Sequence, residues 1–308
     1  MCGICGIIEF DEKRDADEHL LKEMCRVIGH RGPDEEGYHI EGNVGLGARR
    51  LSIIDLKTGH QPIHNEDKNI WIVSNGEIYN YKELTQELKQ LGHQFYTGSD
   101  TEVIVHAYEQ YGTGCLAKLR GMFAFALWDK EKREVLLARD RLGIKPLHYA
   151  LSEGRLIFAS EIKSILQDKK VSRELNPAAL DHFLTFSCVP APLTIFKGIK
   201  KLLPGTFLRC KGSNISENRH WELPYFREVN HFSEKECEER LMQALRESLE
   251  LHLRSDVPIG VLLSGGVDSS TILALATQIT PKLLKSFSVG FKHPTFNELG
   301  YAHRVANL

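Results

Sequence analysis

From Met122 to Trp128 the chain reads Met-Phe-Ala-Phe-Ala-Leu-Trp, with no polar residue in the run. A strand turns successive side chains to opposite faces, so this one has to be covered on both. Val135 to Ala138, Val-Leu-Leu-Ala, makes the same demand shortly afterwards. Two sheets stacked face to face with helices on their outer sides satisfy both segments. The neighbouring segments fit that layout. Ile4, Ile7, Ile8 and Phe10 mark a buried first strand, and Ile70 to Ser74 another. Asp15 to Ile28 carries Leu20, Leu21, Met24, Val27 and Ile28 on one helical stripe, ended by Gly29. Tyr81 to Leu91 does the same with Leu84, Leu88 and Leu91, and an apolar helix follows around Val103 to Tyr108.

Beyond residue 176 the text changes. Pro177, Pro190, Pro192 and Pro204 punctuate it, and Ser213 to Asn230 is polar and irregular. We therefore read residues 2–211 as one domain, 212–232 as a linker and 233–308 as the start of a second domain. Ser233 with Glu236 predicts a capping box opening a helix to Leu253. Val257 to Leu263 reads as a buried strand, Thr271 to Gln278 as a helix and Lys285 to Phe291 as a second strand, a βαβ unit with a parallel pair. Glu298 to Leu308 closes the chain as an amphipathic helix with Leu299, Ala302, Val305 and Leu308 on one stripe.

Composition excludes several classes of partner. Lys+Arg number 39 against Asp+Glu 41, which gives no electrostatic basis for a nucleic acid or a membrane surface. No apolar run approaches the length of a membrane span, and the first residues lack the pattern of a secretory signal. The seven cysteines are scattered, and no second cysteine pair or histidine pair completes a zinc site, so no metal is expected. These features place the chain in the cytoplasm with reduced thiols.

Several short stretches carry chemistry. If Met1 is removed, Cys2 holds a thiol and a free α-amine on one residue, with reference pKa values of about 8.5 and about 7.7–8.0. The amine can then accept the thiol proton, directly or through a water, as in other N-terminal nucleophiles. A small buried or frayed cysteine is the alternative. Gly3 leaves space beside the sulfur. His30-Arg31-Gly32-Pro33-Asp34 is a turn, either solvated or functional. Arg50 enters an apolar strand and needs a carboxylate, from a ligand or from Asp55. Asn75-Gly76 offers an amide and an approachable N–H for an oxyanion, although by itself Asn-Gly favours a hairpin. Ser99 or Asp100 caps the helix that follows, or Asp100 holds a substrate ammonium. Ser264-Gly265-Gly266-Val267-Asp268-Ser269-Ser270, between a strand and a helix, presents N–H groups to phosphate, but is neither a Walker A loop nor a dinucleotide fingerprint.

Together these motifs resemble the glutamine-dependent asparagine synthetases. Cys2-Gly3-Ile4, His30 to Asp34, Arg50 to Ile53, Asn75 to Asn80, Ser99 to Glu102 and Arg139-Asp140 are similar to a class II glutamine amidotransferase over residues 2–205. Ser264 to Ser269 resembles the pyrophosphate loop of ATP pyrophosphatase domains. The resemblance implies an α+β N-terminal-nucleophile hydrolase fold, four layers α/β/β/α with two antiparallel sheets, followed by an incomplete α/β parallel-sheet ATP pyrophosphatase domain. It implies that Cys2 attacks glutamine, that Asn75 and Gly76 hold the oxyanion, and that Arg50, Leu51, Ser52, Ile53, Ile54, Glu77 and Asp100 line the glutamine pocket. It implies ATP near Leu263, Ser264, Gly265, Gly266, Asp268, Ser269 and Val289, with Mg2+, activating aspartate as β-aspartyl-AMP for attack by ammonia. It also implies a possible homodimer.

The chain departs from the pattern at His148, where tyrosine is commoner, and at Asn297-Glu298, where Asp-Glu is usual. The family also continues past residue 308, with a second ATP loop, so the expectation for these 308 residues alone is glutamine hydrolysis without asparagine formation. The competing readings are an amidotransferase for another carboxylate acceptor, a lactam-forming relative, and a stand-alone glutaminase or regulatory remnant. The intact Cys2 and glutamine pocket speak against a pure cyclase.

Overall fold

The computed structural model describes residues 1–224, 232–280 and 284–308. They divide into two compact units, Met1–Leu223 and Pro224–Leu308.

In chain order the first unit contains β1 (Gly3–Glu9), α1 (Glu18–Arg26), β2 (Glu35–Glu41), β3 (Val44–Arg50), β4 (Ile63–His64), β5 (Ile70–Ile78), α2 (Tyr81–Gln90), α3 (Glu102–Tyr111) and α4 (Cys115–Lys118). There follow β6 (Gly121–Asp129), β7 (Glu134–Arg139), β8 (His148–Ser152), β9 (Arg155–Ala159), α5 (Ile162–Ile165), α6 (Pro177–Phe186), β10 (Ile199–Lys201), β11 (Thr206–Lys211) and β12 (Asn214–Arg219). Among the described residues the strands of this unit form two six-stranded antiparallel sheets, ordered β10-β8-β9-β1-β3-β2 and β12-β11-β7-β6-β5-β4.

The side-chain alternation of β6 explains the layers. Phe123, Phe125 and Leu127 pack with Leu84, Leu88, Val103, Ile104 and Leu116 of the helices outside the second sheet. Ala124, Ala126 and Trp128 point the other way, onto Ile4, Ile8, Val44 and Leu46 of the first sheet. On the far side of that sheet Cys5, Ile7 and Ile157 meet Leu21, Met24, Cys25 and Ile165 from α1 and α5. The result is α/β/β/α, as expected from two strands with no polar face. The small alanines of β6 let the two sheets approach while its phenylalanines fill the wider gap beneath the helices.

Two expectations fail for identifiable reasons. Asn75-Gly76 makes no hairpin; the chain runs straight through it as β5, paired with β6 from Ile70 to Ile78. A Cβ on Gly76 would lie 2.2 Å from the Met122 carbonyl oxygen, so this glycine serves close approach of two strands, not a turn. The polar stretch read as linker begins with a strand, β12, paired to β11 over its whole length. It is an edge strand with both faces mostly exposed, which erases the apolar alternation that marks strands in sequence. Residues 225–231 of that stretch lie outside the described residues.

The second unit contains α7 (Glu234–His252), β13 (Gly260–Leu262), α8 (Val267–Ile279), β14 (Lys285–Phe287) and α9 (Leu299–Ala306). Ser233 and Glu236 form the expected capping box, and β13 and β14 pair in parallel. Both strands are shorter than expected, three residues each.

Candidate active site

Strand alternation sets where the candidate nucleophile, Cys2, points. Ile4 and Ile8 face the layer between the sheets, so Cys2, in phase with them, is directed to the same side at its mouth. Val73 of the opposite sheet faces that layer too, and Asn75 is in phase with Val73. Two residues far apart in sequence thus meet. The Cys2 carbonyl accepts from Arg31 Nε at 2.9 Å. With its amide oriented to satisfy both neighbours, buried Asn75 donates to the same carbonyl at 3.0 Å and accepts from Arg31 Nη2 at 3.3 Å. Arg31 Nη1 is anchored by Glu161 at 3.0 Å. The Cys2 sulfur lies 3.4 Å from the Leu51 N–H nitrogen that donates to it. Burial pushes the thiol above its usual range, the Leu51 N–H works against this, and the Glu77 carboxylate adds to it.

Gly3 has a different role from the one expected. A Cβ there would meet Ile28 Cδ1 at 3.0 Å and Arg31 Cδ at 3.2 Å, so the space it leaves is taken by Arg31 and not by the sulfur. Gly32 acts with it: a Cβ would fall 2.3 Å from the Arg49 backbone, and its absence lets the 29–34 turn lie against β3.

Gly76 sits on an open edge. The short β4 covers β5 only at Trp71 and Ile72. Further along, the Ser74 N–H donates to Gln61 Oε1 at 2.7 Å and the Ile78 N–H to Asp100 Oδ2 at 2.7 Å. Both therefore point away from β6, and the two-residue repeat of a strand turns the Gly76 N–H to that same edge, between them.

Arg50 is buried at the end of β3. It reaches Glu35 at 3.2 Å and donates to the carbonyls of Ile54 at 2.9 Å and Asp55 at 2.6 Å. The expected Asp55 partner is thus its backbone, and the carboxylate is Glu35. Leu51 to Ile54 is the irregular segment leaving β3, and the Ser52 N–H in it is held by Asp34 at 2.9 Å. Asp100 is buried and caps no helix; its carboxylate is turned to Ile78. Glu77 is half-buried nearby. Burial, then repulsion from Asp100, raises Glu77 to about 8, and burial, opposed by the Ile78 N–H, raises Asp100 to about 6. Lys145, buried and set by its N–H on Asp140 Oδ2 at 2.9 Å, stands among these groups. Burial lowers its pKa, against the pull of Glu77 and Cys2.

Arg31, Glu35, Glu161 and Lys145 were not among the site residues read from sequence. Arg31 had a signal, a cation in a glycine-bearing turn; the others lay in stretches with no local mark. Arg139-Asp140 is architectural: Asp140 collects the N–H groups of Phe123, Leu142, Ile144 and Lys145, and Arg139 the carbonyls of Gly143, Lys145 and Leu202. Ring burial holds His148 down at about 4, with Nδ1 against the Ser160 carbonyl.

In the second unit Leu263 to Ser269 joins β13 to α8. Gly265 has φ +83°, and a Cβ on it would lie 2.4 Å from the Tyr301 backbone, so glycine is required there. Ser264 and Ser269 hydroxyls lie 3.0 Å apart across the loop, and Ser264 Oγ accepts from the Gly266 N–H. Leu263 is buried, and Val289 lies exposed beyond β14.

Residues 1–221 match the family model described as a glutamine amidotransferase domain. The chain belongs to the glutamine amidotransferase family. Residues 240–308 of this amidotransferase match a second model, described as asparagine synthase. It is 41% identical over 308 residues to asparagine synthetase [glutamine-hydrolyzing] 1 of Bacillus subtilis, covering 99% of this chain and 48% of the relative. To asparagine synthetase [glutamine-hydrolyzing] 2 of the same organism it is 40% identical, covering 99% and 42%. The amidotransferase chain thus spans about half the length of the curated relatives it matches. Among solved structures it is similar to glutamine phosphoribosylpyrophosphate amidotransferase of B. subtilis, with TM-score 0.52 and 17% identity, covering 96% of this chain and 68% of that one. At that identity the likeness is one of fold, and it agrees with the expected N-terminal-nucleophile hydrolase architecture.

Proposed function

We propose that these 308 residues hydrolyse glutamine at Cys2 and that the ammonia serves a synthetase domain, of which residues 233–308 are only a part, to amidate ATP-activated aspartate, giving asparagine. Removal of Met1 frees the Cys2 α-amine, which takes the thiol proton; burial raises the thiol, so it depends on such a base. The thiolate attacks the glutamine carboxamide carbon, and the oxyanion is received by the Asn75 amide and the Gly76 N–H. The ammonium formed on Cys2 returns the proton to the leaving nitrogen, ammonia departs, and water cleaves the thioester to glutamate. Arg50 faces the substrate carboxylate and Asp100 its ammonium, with Leu51 to Ile54 and Glu77 around them. In the second unit the Leu263 to Ser269 loop fits ATP phosphates, since it opens a thirteen-residue helix whose first N–H groups are available to an anion; Mg2+ would accompany those phosphates, and Val289 would lie by the adenine. The observation that carries the reading is the shared hold of Asn75 and Arg31 on the Cys2 carbonyl, beside the open-edge N–H of Gly76. The test assays glutamate release with and without ATP and aspartate, and isotope exchange between ATP and pyrophosphate with a panel of acids. Release that needs neither ATP nor acceptor supports the first half, and exchange stimulated by aspartate alone supports the second. No release from protein that has lost Met1 removes the reading; exchange stimulated by a different acid moves the acceptor.

The two raised carboxyls predict pH behaviour. In the unfolded chain they titrate near about 4. Folded, they hold protons up to about 6 and about 8. The folded state therefore binds more protons across that window, and stability of the ligand-free protein declines as pH rises through it. Glutamine binding needs the opposite state of Asp100, ionised against an ammonium. The expected result is a kcat/KM that falls as pH drops through about 6, with KM carrying the change. Asp100→Asn should raise KM and remove that limb; an unshifted limb in the variant would count against the assignment.

A further inference from the structure

Outside the glutamine site, four side chains of the first unit converge in its outer helical layer. Glu66 comes from the turn between β4 and β5, His93 from the loop between α2 and α3, and His106 and Glu109 from α3. Their inward atoms all lie within 4.8 Å of one another. His93 Nδ1 is 3.3 Å from Glu109 Oε2. His106 Nδ1 is 3.5 Å from Glu66 Oε2 and 3.5 Å from Glu109 Oε2.

Each of the four is held by its other polar atom. Glu66 Oε1 accepts from the Gln94 N–H at 2.6 Å, and Glu109 Oε1 from Asn65 Nδ2 at 3.3 Å. His93 Nε2 meets Gln110 Oε1 at 3.1 Å, and His106 Nε2 meets Glu102 Oε1 at 3.3 Å, both of the latter side chains fully buried. With the proton on Nε2, facing Gln110 Oε1 and the Glu102 carboxylate, each neutral imidazole turns its Nδ1 lone pair inward. Without an ion, burial lowers His106 but the surrounding carboxylates outweigh it and raise the group, so a cation would bind in place of that second proton. Two lone pairs then face two carboxylate oxygens. His106 Nδ1 is fully buried and makes no hydrogen bond. A second proton on His106 would not supply one, because N···O contacts of 3.5 Å lie outside the hydrogen-bonding range of about 2.7–3.2 Å.

A divalent cation resolves the arrangement. Bonds of about 2.0–2.2 Å around a tetrahedral zinc place neighbouring ligand atoms roughly 3.3–3.5 Å apart; the three separations above fall there, and His93 Nδ1 to Glu66, at 3.9 Å, has to close by a few tenths of an ångström on binding. Two imidazoles with two carboxylates suit the zinc class and not magnesium or calcium, which take oxygen alone. The two carboxylates neutralise the ion, and Glu102 behind His106 supplies the outer carboxylate that fixes a ligating ring. We propose that Glu66, His93, His106 and Glu109 form a structural zinc-class site that ties the β4–β5 turn to α3. Four protein ligands close the coordination sphere, so the site stabilises and does not catalyse. Its ligands are spaced irregularly in sequence and include no cysteine, which is why the search for zinc motifs passed over them.

The test uses the full chain in a Cys2→Ala background, so that the nucleophile cannot bind metal. Protein stripped by a chelator is equilibrated with Zn2+, freed of excess and analysed for metal; a second sample is titrated with Co2+ and its visible absorption recorded. Expected are one zinc per chain, the intense absorption of tetrahedral Co2+, and a thermal midpoint that rises with zinc. Glu66→Gln with Glu109→Gln, two exposed positions, should keep the circular dichroism of the parent, lose the cobalt bands and weaken zinc by roughly 100-fold, at or beyond the upper end of what loss of an outer partner alone costs. No stoichiometric metal, or metal and bands unchanged in that double variant, would overturn the proposal.

Discussion

Replacing Cys2 with alanine is expected to leave a folded protein that releases no measurable glutamate from glutamine. The thiol is the sole covalent nucleophile in the proposed mechanism, and losses on removing a nucleophile are of the order of 10^4 to 10^6 in kcat. The fold should be indifferent, because Cys2 precedes β1 and contributes to none of the three buried clusters. Cys5 supplies the contrast. It faces α1, fully buried, with its sulfur 3.3 Å from that of Cys25. Cys5→Ala should cost roughly 1 kcal/mol of stability, as core truncations do, and leave turnover per folded molecule unchanged. Intact-mass measurement belongs to the same experiment: with Met1 attached the Cys2 nitrogen is an amide and cannot take a proton. Wild-type turnover by Cys2→Ala, or full activity in protein that retains Met1, would refute the mechanism.

Asn75→Ala should lower kcat by roughly 10^2 to 10^3, the usual effect of losing one oxyanion donor, with a smaller change in KM. Asn75 also holds the Cys2 carbonyl and Arg31, so part of the loss comes from a displaced nucleophile. Arg31→Ala gives the comparison: it keeps the amide donor and its bond to the Cys2 carbonyl but removes the guanidinium that holds both. A deficit in Asn75→Ala clearly larger than in Arg31→Ala assigns the difference to the oxyanion. A loss below tenfold in Asn75→Ala would leave the amide with no catalytic part.

The layered architecture was legible because β6 and β7 lack any polar face, which leaves few ways to bury them. Helix α1 and the capping box of α7 were legible for similar local reasons. Asn75-Gly76 was misread locally, since Asn-Gly is a hairpin signal wherever a turn is sterically open. Here the demand for contact with the Met122 carbonyl decides the geometry, and that demand lies on another strand. Glu35, Glu161 and Lys145 were hidden for the same reason: each matters through a partner distant along the chain. Edge strand β12 was hidden because exposure on both faces removes the pattern.

The position of β1 has a consequence for how such a unit combines with others. It lies inside its sheet, between β3 and β9, and the residue before it is the proposed nucleophile. A purification tag or a second enzyme joined ahead of Cys2 would replace the amine with a peptide bond, which cannot take the thiol proton. Under the proposed mechanism a fusion at that end stays active only if cleavage frees the Cys2 amine. Circular permutation, which most folds tolerate in some loop, meets the same demand here: cleavage has to restore Cys2 as the terminus.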